Sequence, residues 1–548
     1  MTSNESQFYT DAQALLDEIL RESPVTATFL GDHRYDDQLG DYSLSTIEDQ
    51  YRRQKLWLKK VLDYDTQSWS LDAQIDHTLT VQIIKQLIRQ FEKYKLHQRN
   101  PGLAGDEVIG GAYGLIIRDF APLRERMKNV MMRLRETPRV LDQFRLLIDP
   151  PQVPKIWAEI ALDSAQQGVG MFAAFIPMMA EAVPDLKEEL LSASQKAATA
   201  LQDYATWIEQ SILPQAQGDF AVGKENFDEI LREDHLVDYD ADQLLETGWK
   251  LLLQTEQQMN ILAASMDGNK TVRELLEHAK SNHPTAEGLL DAYRDSMQKA
   301  RQFVIDHGVA SIPEGEQIRV VETPSYLRPI IPYAGYNMPG FLEKIQEGIF
   351  MVTPVEENAD PEAAERKLRG HPWGDIPVTA LHEAYPGHHL QLVISNSSKS
   401  IPRKFGAFLS TLFVEGWAFY CEELMDQLGF IGEPIQKLSR LQAQQWRACR
   451  IIIDVSLHTG KMTVEEAIDL LVKRAGLEPD DAKAEVRRYT QSPTQPQSYL
   501  MGKLQILEIV DAYKSRYPQV SMRQMHDDIL GCGSLPPRLM RKRLFSNA

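Results

Sequence analysis

Residues 378–393 read VTALHEAYPGHHLQLV and bring His382, Glu383, His388 and His389 into one short stretch. Imidazole nitrogens and carboxylate oxygens are ordinary donors for zinc and related divalent ions. In a His-Glu-x-x-His helix the two histidines stand four residues apart on one face and share an ion. The glutamate beside the first histidine then serves as general base. Here the fourth position after His382 is Pro386. On an unbroken helix His389 would share the face of His382 but lie about 10 Å further along the axis, and His388 would point roughly 120° away. Metal–nitrogen bonds of about 2.0 to 2.1 Å cannot bridge such a gap.

The helix cannot run unbroken, because Pro386 has no N–H for the carbonyl of His382 and its ring crowds that carbonyl. Gly387 then admits backbone angles that other residues avoid. A widened turn absorbing two extra residues brings His388 to where an i+4 ligand sits, whereas His389 needs three. This favours His388 as the second ligand and gives His389 a supporting or substrate-facing catalytic role, with the reverse assignment open. Glu383 adjoins His382, so its carboxylate falls beside the ion, where it can take a proton from an activated water. A third ligand is expected in TLFVEGWAFYCEEL, where Glu415 interrupts an apolar helix. A carboxylate buried there must be paired or bound to a metal. Glu422, seven residues on and on the same face, can orient a ligand histidine.

Hydrolysis of an amide develops an oxyanion, which calls for a donor facing the metal. Tyr499 can donate without carrying charge, and Gly502 one turn later permits close backbone approach. Arg450, Asp454 and His458 stand at i, i+4 and i+8, where the aspartate can fix the tautomer of the histidine. IIIDVSL is too apolar for a solvated face, so this ladder is expected to line a cleft. Arg447, Arg450 and Lys503 are the candidates to pair with a substrate carboxylate, which would place cleavage near a C-terminus.

Four stretches carry a resemblance: LHEAYPGHHLQ at 381–391, VEGWAFYCEEL at 414–424, RACRIIIDVSLHTGKMTVEEAI at 447–468 and QPQSYLMGKLQI at 495–506. With TATFLGDHRYDD near the N-terminus, they resemble the domain of unknown function 885 family, which is grouped with the gluzincin-like metallopeptidases. The resemblance implies a helical peptidase fold with a deep cleft and one zinc, and it supports His382, Glu383 and Glu415 in the roles above. Glu415 and Gly416 are similar to the Asn-Glu-Gly segment in which gluzincin aminopeptidases place their third ligand, with Val414 where the asparagine stands. It does not decide between His388 and His389.

The elements that must position these residues are mostly helices. Apolar residues recur at three- and four-residue intervals in TIEDQYRRQKLWLKKVLDY and DADQLLETGWKLLLQTEQQMNILAASM, with charged outer faces. Prolines and glycines fall between such segments, as in DPPQVP and LPQAQGDFAVG. Between about 311 and 360 β-branched runs, tyrosines and turn residues replace that pattern, so a small β element is expected near 315–355. Helix resumes from Asp375, with one helix from near Pro434 to Gly460 and a capping box at Thr463 and Glu466. The fold class expected is mainly α, a large multi-helical metallopeptidase-like fold. It divides into an N-terminal helical lobe over 1–240 and a catalytic lobe over 241–548, together one continuous unit.

Composition narrows the function. The 548 residues carry 78 acidic and 59 basic side chains, a net charge of -19 that repels phosphate backbones and anionic membranes, so neither nucleic acid nor membrane is expected as partner. Cys421, Cys449 and Cys532 lack the spacing of a disulfide scaffold or thiolate site. The N-terminal stretch has no basic-then-apolar leader pattern and no apolar run approaches the roughly 20 residues of a membrane span, so a cytoplasmic location is expected. The function expected is a zinc-dependent hydrolase with one Zn2+ per chain, a peptidase of short peptides with Glu383 as general base. A metallohydrolase of a non-peptide amide or ester is one alternative. A helical binding protein with structural or decayed histidines is the other.

Overall fold

The computed structural model describes residues 3–324, 328, 331, 333–356 and 358–546. Helix accounts for 69% of the chain and strand for 3%, so the mainly α expectation holds. The chain forms two compact units, one of residues 1–220 with 340–344 and one of 221–339 with 345–548. The division thus falls before the boundary expected at 240. The reason is packing: the Lys224–Glu233 helix lies against the Ala241–Met266 and Pro434–His458 helices, and Gly223 N–H donates to the His458 carbonyl at 2.9 Å.

The described residues of the first unit form helices joined by turns and loops, with one isolated β-bridge between Pro154 and Gly218. Ser43 and Ser70 cap the Leu44–Leu62 and Leu71–Arg89 helices by accepting from Thr46 N–H and Ala73 N–H, the ordinary signal that starts a helix. Their apolar faces meet Phe8, Ala12 and Leu15 of the Ser3–Glu22 helix around Trp69. The Leu123–Leu147 helix packs between Gly102–Ile116 and Lys187–Trp207. From it Arg133, fully buried, donates to the Gly111 carbonyl at 2.7 Å, the Pro24 carbonyl at 3.2 Å and Thr28 Oγ1 at 2.7 Å.

Residues 340–344 join this unit through backbone and charge. Leu342 N–H donates to the Leu30 carbonyl at 2.8 Å, and a Cβ on Gly340 would stand 2.5 Å from the Leu30 carbonyl carbon. His33 lies between Asp36 at 2.9 Å and Glu343 at 3.2 Å.

The second unit holds the expected β element as a three-stranded sheet. β1 (Gln317–Glu322) runs parallel to the central β3 (Glu347–Val352), and β2 (Ala334–Asn337) antiparallel to it, in the order β1-β3-β2. The Leu289–Asp306 helix packs against β1 and the Ile376–Glu383 helix against β2. Gly248 of the Ala241–Met266 helix lets that helix approach the Pro434–His458 helix, since a Cβ there would meet Ile451 and Ile452 at 2.9 and 3.0 Å. The Leu412–Gln427 helix crosses the Ser498–Arg516 helix where Gly416 meets Gly502, backbone against backbone: a Cβ on Gly502 would stand 2.0 Å from the Leu412 carbonyl oxygen. The expected capping box is present, with Thr463 and Glu466 reciprocally bonded.

The His33 pair gives the first unit a pH dependence. Burial lowers its imidazole, but hydrogen bonds and charge from Asp36 and Glu343 outweigh it and raise it to about 9. An unfolded histidine titrates near 6.5, so the stabilisation is complete below that pH and is lost as pH rises through about 9. His33→Gln is expected to lower stability by about 1–3 kcal/mol at pH 6, with the deficit shrinking by pH 10. Denaturant unfolding at the two pH values measures it; an equal deficit at both would contradict the ionic role.

Candidate metal centre

The motif forms two helices rather than one widened turn. Ile376–Glu383 ends at Glu383, and His388–Asn396 begins at His388. Pro386, in a cis peptide with Tyr385, stops the first, and Gly387 N–H turns back to the Leu381 carbonyl at 3.1 Å. Glycine is required there by close approach and not by a positive φ: its φ is −73°, while a Cβ would stand 1.9 Å from the His382 carbonyl oxygen. The Pro386 carbonyl accepts from Trp417 Nε1 at 2.8 Å and from Cys421 Sγ at 3.6 Å, which ties the break to the helix that carries Glu415. Trp417 and Cys421 are fully buried.

This arrangement converges three donors. One atom each of His382, His388 and Glu415 lie within 4.8 Å of one another. His388 Nε2 stands 3.4 Å from Glu415 Oε2, and the rings of His382 and His388 meet at 90° with centroids 4.7 Å apart. Two tetrahedral ligands at about 2.1 Å from one ion lie about 3.4 Å apart, so the spacing is one that a single metal ion can span. His382 Nδ1 is bonded to Glu422 Oε1 at 2.7 Å, which fixes the ring and leaves Nε2 for the cluster. His388 Nδ1, Glu415 Oε2 and Glu422 Oε2 are buried without a hydrogen bond among the described residues. Of the two adjacent histidines it is His388, and not His389, that joins His382 and Glu415.

The electrostatics follow from this crowding. Burial pushes the Glu415 carboxyl up, but the polar contact and charge of His388, then the influence of His382 and Tyr499, outweigh it and hold it at about 2. Burial lowers the His388 imidazole, and Glu415, Glu383 and Glu422 together raise it above its ordinary value. Three carboxylates thus face two imidazoles, a field that favours a cation. Glu383, the last residue of its helix, is half-buried, and its carboxylate accepts no hydrogen bond among the described residues. The Tyr499 hydroxyl accepts from Gln495 Nε2 at 3.5 Å, and Tyr499 adds a small further influence that helps to hold the Glu415 carboxylate ionised.

Several expected roles are corrected. His389 is fully buried and faces the sheet: Nδ1 meets Tyr336 Oη at 2.8 Å and Nε2 meets Glu316 Oε2 at 2.7 Å, so neither nitrogen is open to metal or substrate. Asp454 accepts from Thr494 N–H at 3.0 Å rather than orienting His458, whose Nε2 meets the Tyr489 carbonyl at 3.0 Å. Arg450 is engaged by Tyr489 at 2.7 Å and Glu485 at 3.0 Å, and Lys503 by Glu423 at 2.5 Å and Gln444 at 2.7 Å. That ladder and that lysine brace the core because their partners come from other elements and from the turn that carries Thr494. Arg447, alone of the three cations, meets no carboxylate among the described residues.

Sequence reasoning missed the group behind His389. Glu316, just ahead of β1, also accepts from Tyr385 Oη and pairs with Arg301 at 3.1 Å. A Cβ on Gly348 of β3 would meet Tyr336 Oη at 2.5 Å and His389 Nδ1 at 2.6 Å. No local pattern marks Glu316, which reads as a solvated residue in EGEQIRVV.

The chain belongs to the DUF885 family. That family, described as bacterial protein of unknown function, matches residues 24–544. No protein with a curated description matches the chain. Two solved structures share the DUF885 chain's fold. One from Shewanella oneidensis, described as "a putative lipoprotein of unknown function", is 23% identical with a TM-score of 0.80, over 99% of this chain and 100% of that one. One from Colwellia psychrerythraea, described as "the putative lipoprotein", is 17% identical with a TM-score of 0.83, over 99% of each. These neighbours overturn the expected cytoplasmic location. A lipoprotein is held at a membrane by its lipid. That no helix among the described residues is long and apolar enough to cross a membrane therefore carries no weight for the cytoplasm.

Gly387→Ala tests the break that positions His388. Its Cβ has no room beside the His382 carbonyl, so a loss of about 1–3 kcal/mol is expected in urea unfolding. An unchanged midpoint would show that the turn relaxes freely.

Proposed function

We propose that the protein is a zinc-dependent hydrolase of the gluzincin-like kind, a peptidase that cleaves short peptides. The observation that carries this reading is the convergence of His382, His388 and Glu415 within 4.8 Å, beside a Glu383 carboxylate that has no hydrogen bond among the described residues. Two histidines and a glutamate are the donor set that suits zinc. Zinc held there would supply Lewis acidity, polarising a carbonyl and making water a better nucleophile.

The chain's own residues divide the remaining work. Glu383 takes a proton from the attacking water and delivers it to the leaving nitrogen. Tyr499 donates its hydroxyl proton in a hydrogen bond to the developing oxyanion. Glu422 holds the His382 ring through Nδ1. His388 and Glu415 keep 12% and 15% of their side-chain surface exposed, which supports a substrate cleft on that side of the cluster.

Glu383→Gln is expected to lower peptide hydrolysis by about 10²–10⁴-fold with close to one zinc per chain retained. Hydrolysis assays paired with metal analysis of protein purified without a chelating tag test this, and persisting hydrolysis in that variant would overturn the assignment of the base. Acyl-amides and esters in the same assay identify a non-peptide hydrolase. Glu422→Ala is expected to weaken zinc binding by about 10–100-fold, read by competition with a chromophoric chelator; undiminished affinity would remove Glu422 from the site.

A further inference from the structure

We propose that Arg447 binds the free C-terminal carboxylate of the substrate, which makes the protein a carboxypeptidase. This rests on the peptidase reading above. Arg447 projects from the Pro434–His458 helix, and its guanidinium lies over three rings, Trp446 at 4.9 Å, Phe419 at 5.4 Å and Tyr499 at 5.6 Å. Its single hydrogen bond among the described residues goes from Nη1 to the Ala443 carbonyl of its own helix at 3.4 Å, and its Nε is buried without a partner there.

Neighbouring cations show what a merely structural one looks like here. Arg440 pairs with Asp426 at 2.9 Å, Arg450 with Glu485 and Lys503 with Glu423. Arg447 has no such carboxylate among the described residues. Burial and the charge of Arg450 both work against its protonated form, whereas the charges of Glu422 and Glu415 favour it. A planar guanidinium held on aromatic faces with its Nε unfilled and one long bond to its own helix is suited to bidentate recognition of a carboxylate.

Its place relative to the cluster selects which carboxylate. Phe419, one of the rings under the guanidinium, stands four residues from Glu415 on the Leu412–Gln427 helix and therefore on the same face one turn away, so that helix links the cation to the proposed metal ligand. A carboxylate held so near the cluster belongs to the residue just after the cleaved bond. Water's oxygen then bonds to the last peptide carbonyl carbon, its proton passes through Glu383 to the nitrogen, and the C–N bond breaks to release the C-terminal amino acid.

The test titrates full-length, zinc-loaded Glu383→Gln protein, which binds without turnover, with an N-acetylated tripeptide as free acid and as C-terminal amide. Calorimetry is expected to show the free acid binding on the order of tenfold more tightly. Adding Arg447→Met should abolish that preference, and adding Arg447→Lys should leave part of it. Equal binding of acid and amide overturns the inference while leaving the peptidase reading intact, as does a preference that survives Arg447→Met. An amidated peptide with a penultimate or terminal glutamate that binds as well as the free acid assigns Arg447 to acidic side chains and overturns the carboxypeptidase. Binding of neither peptide overturns both readings.

Discussion

The hydrogen bond from Trp417 Nε1 to the Pro386 carbonyl is the contact on which the candidate site depends. A chain that ends one helix at Glu383 and starts another at His388 leaves backbone groups that need partners. Trp417 supplies one from inside the protein, two residues beyond Glu415. The same bond therefore stabilises the break and sets the distance between the histidines and the glutamate. Gly387 completes the arrangement, because no side chain fits beside the His382 carbonyl.

Two separate polar networks hold the histidines. Glu422 fixes His382 from the helix that carries Glu415, and Glu316 with Tyr336 fixes His389 from the sheet. His389 thereby anchors the first turn of its helix, and His388, its neighbour in sequence, is turned to the other side. A small sheet in a helical protein has a specific use here: the residues at its strands deliver hydrogen-bonding groups to a helix start.

Charge around the cluster is partitioned in the same way. The nearby cations are neutralised by acids from other helices, Arg450 by Glu485 and Lys503 by Glu423, while the carboxylates of the cluster face imidazoles. The local excess of negative charge is what a divalent cation would offset. Arg447 stands at the edge of that field on aromatic faces, with donors still available.

The helical class, the β element near 315–355, the capping box at Thr463 and the helix break at Pro386 were legible in the sequence, because each follows from local periodicity or from backbone chemistry of a few adjacent residues. So was the grouping of His382, His388 and Glu415, since a proline-broken motif and a carboxylate in an apolar helix both carry a local cost. Tertiary structure decided what depends on residues far apart in the chain. It turned His389 toward Glu316, gave Asp454 and His458 separate backbone partners, engaged Arg450 and Lys503, and left Arg447 without an acid among the described residues. Side-chain direction and ion pairing are set by what packs opposite, and no spacing within one helix contains that information.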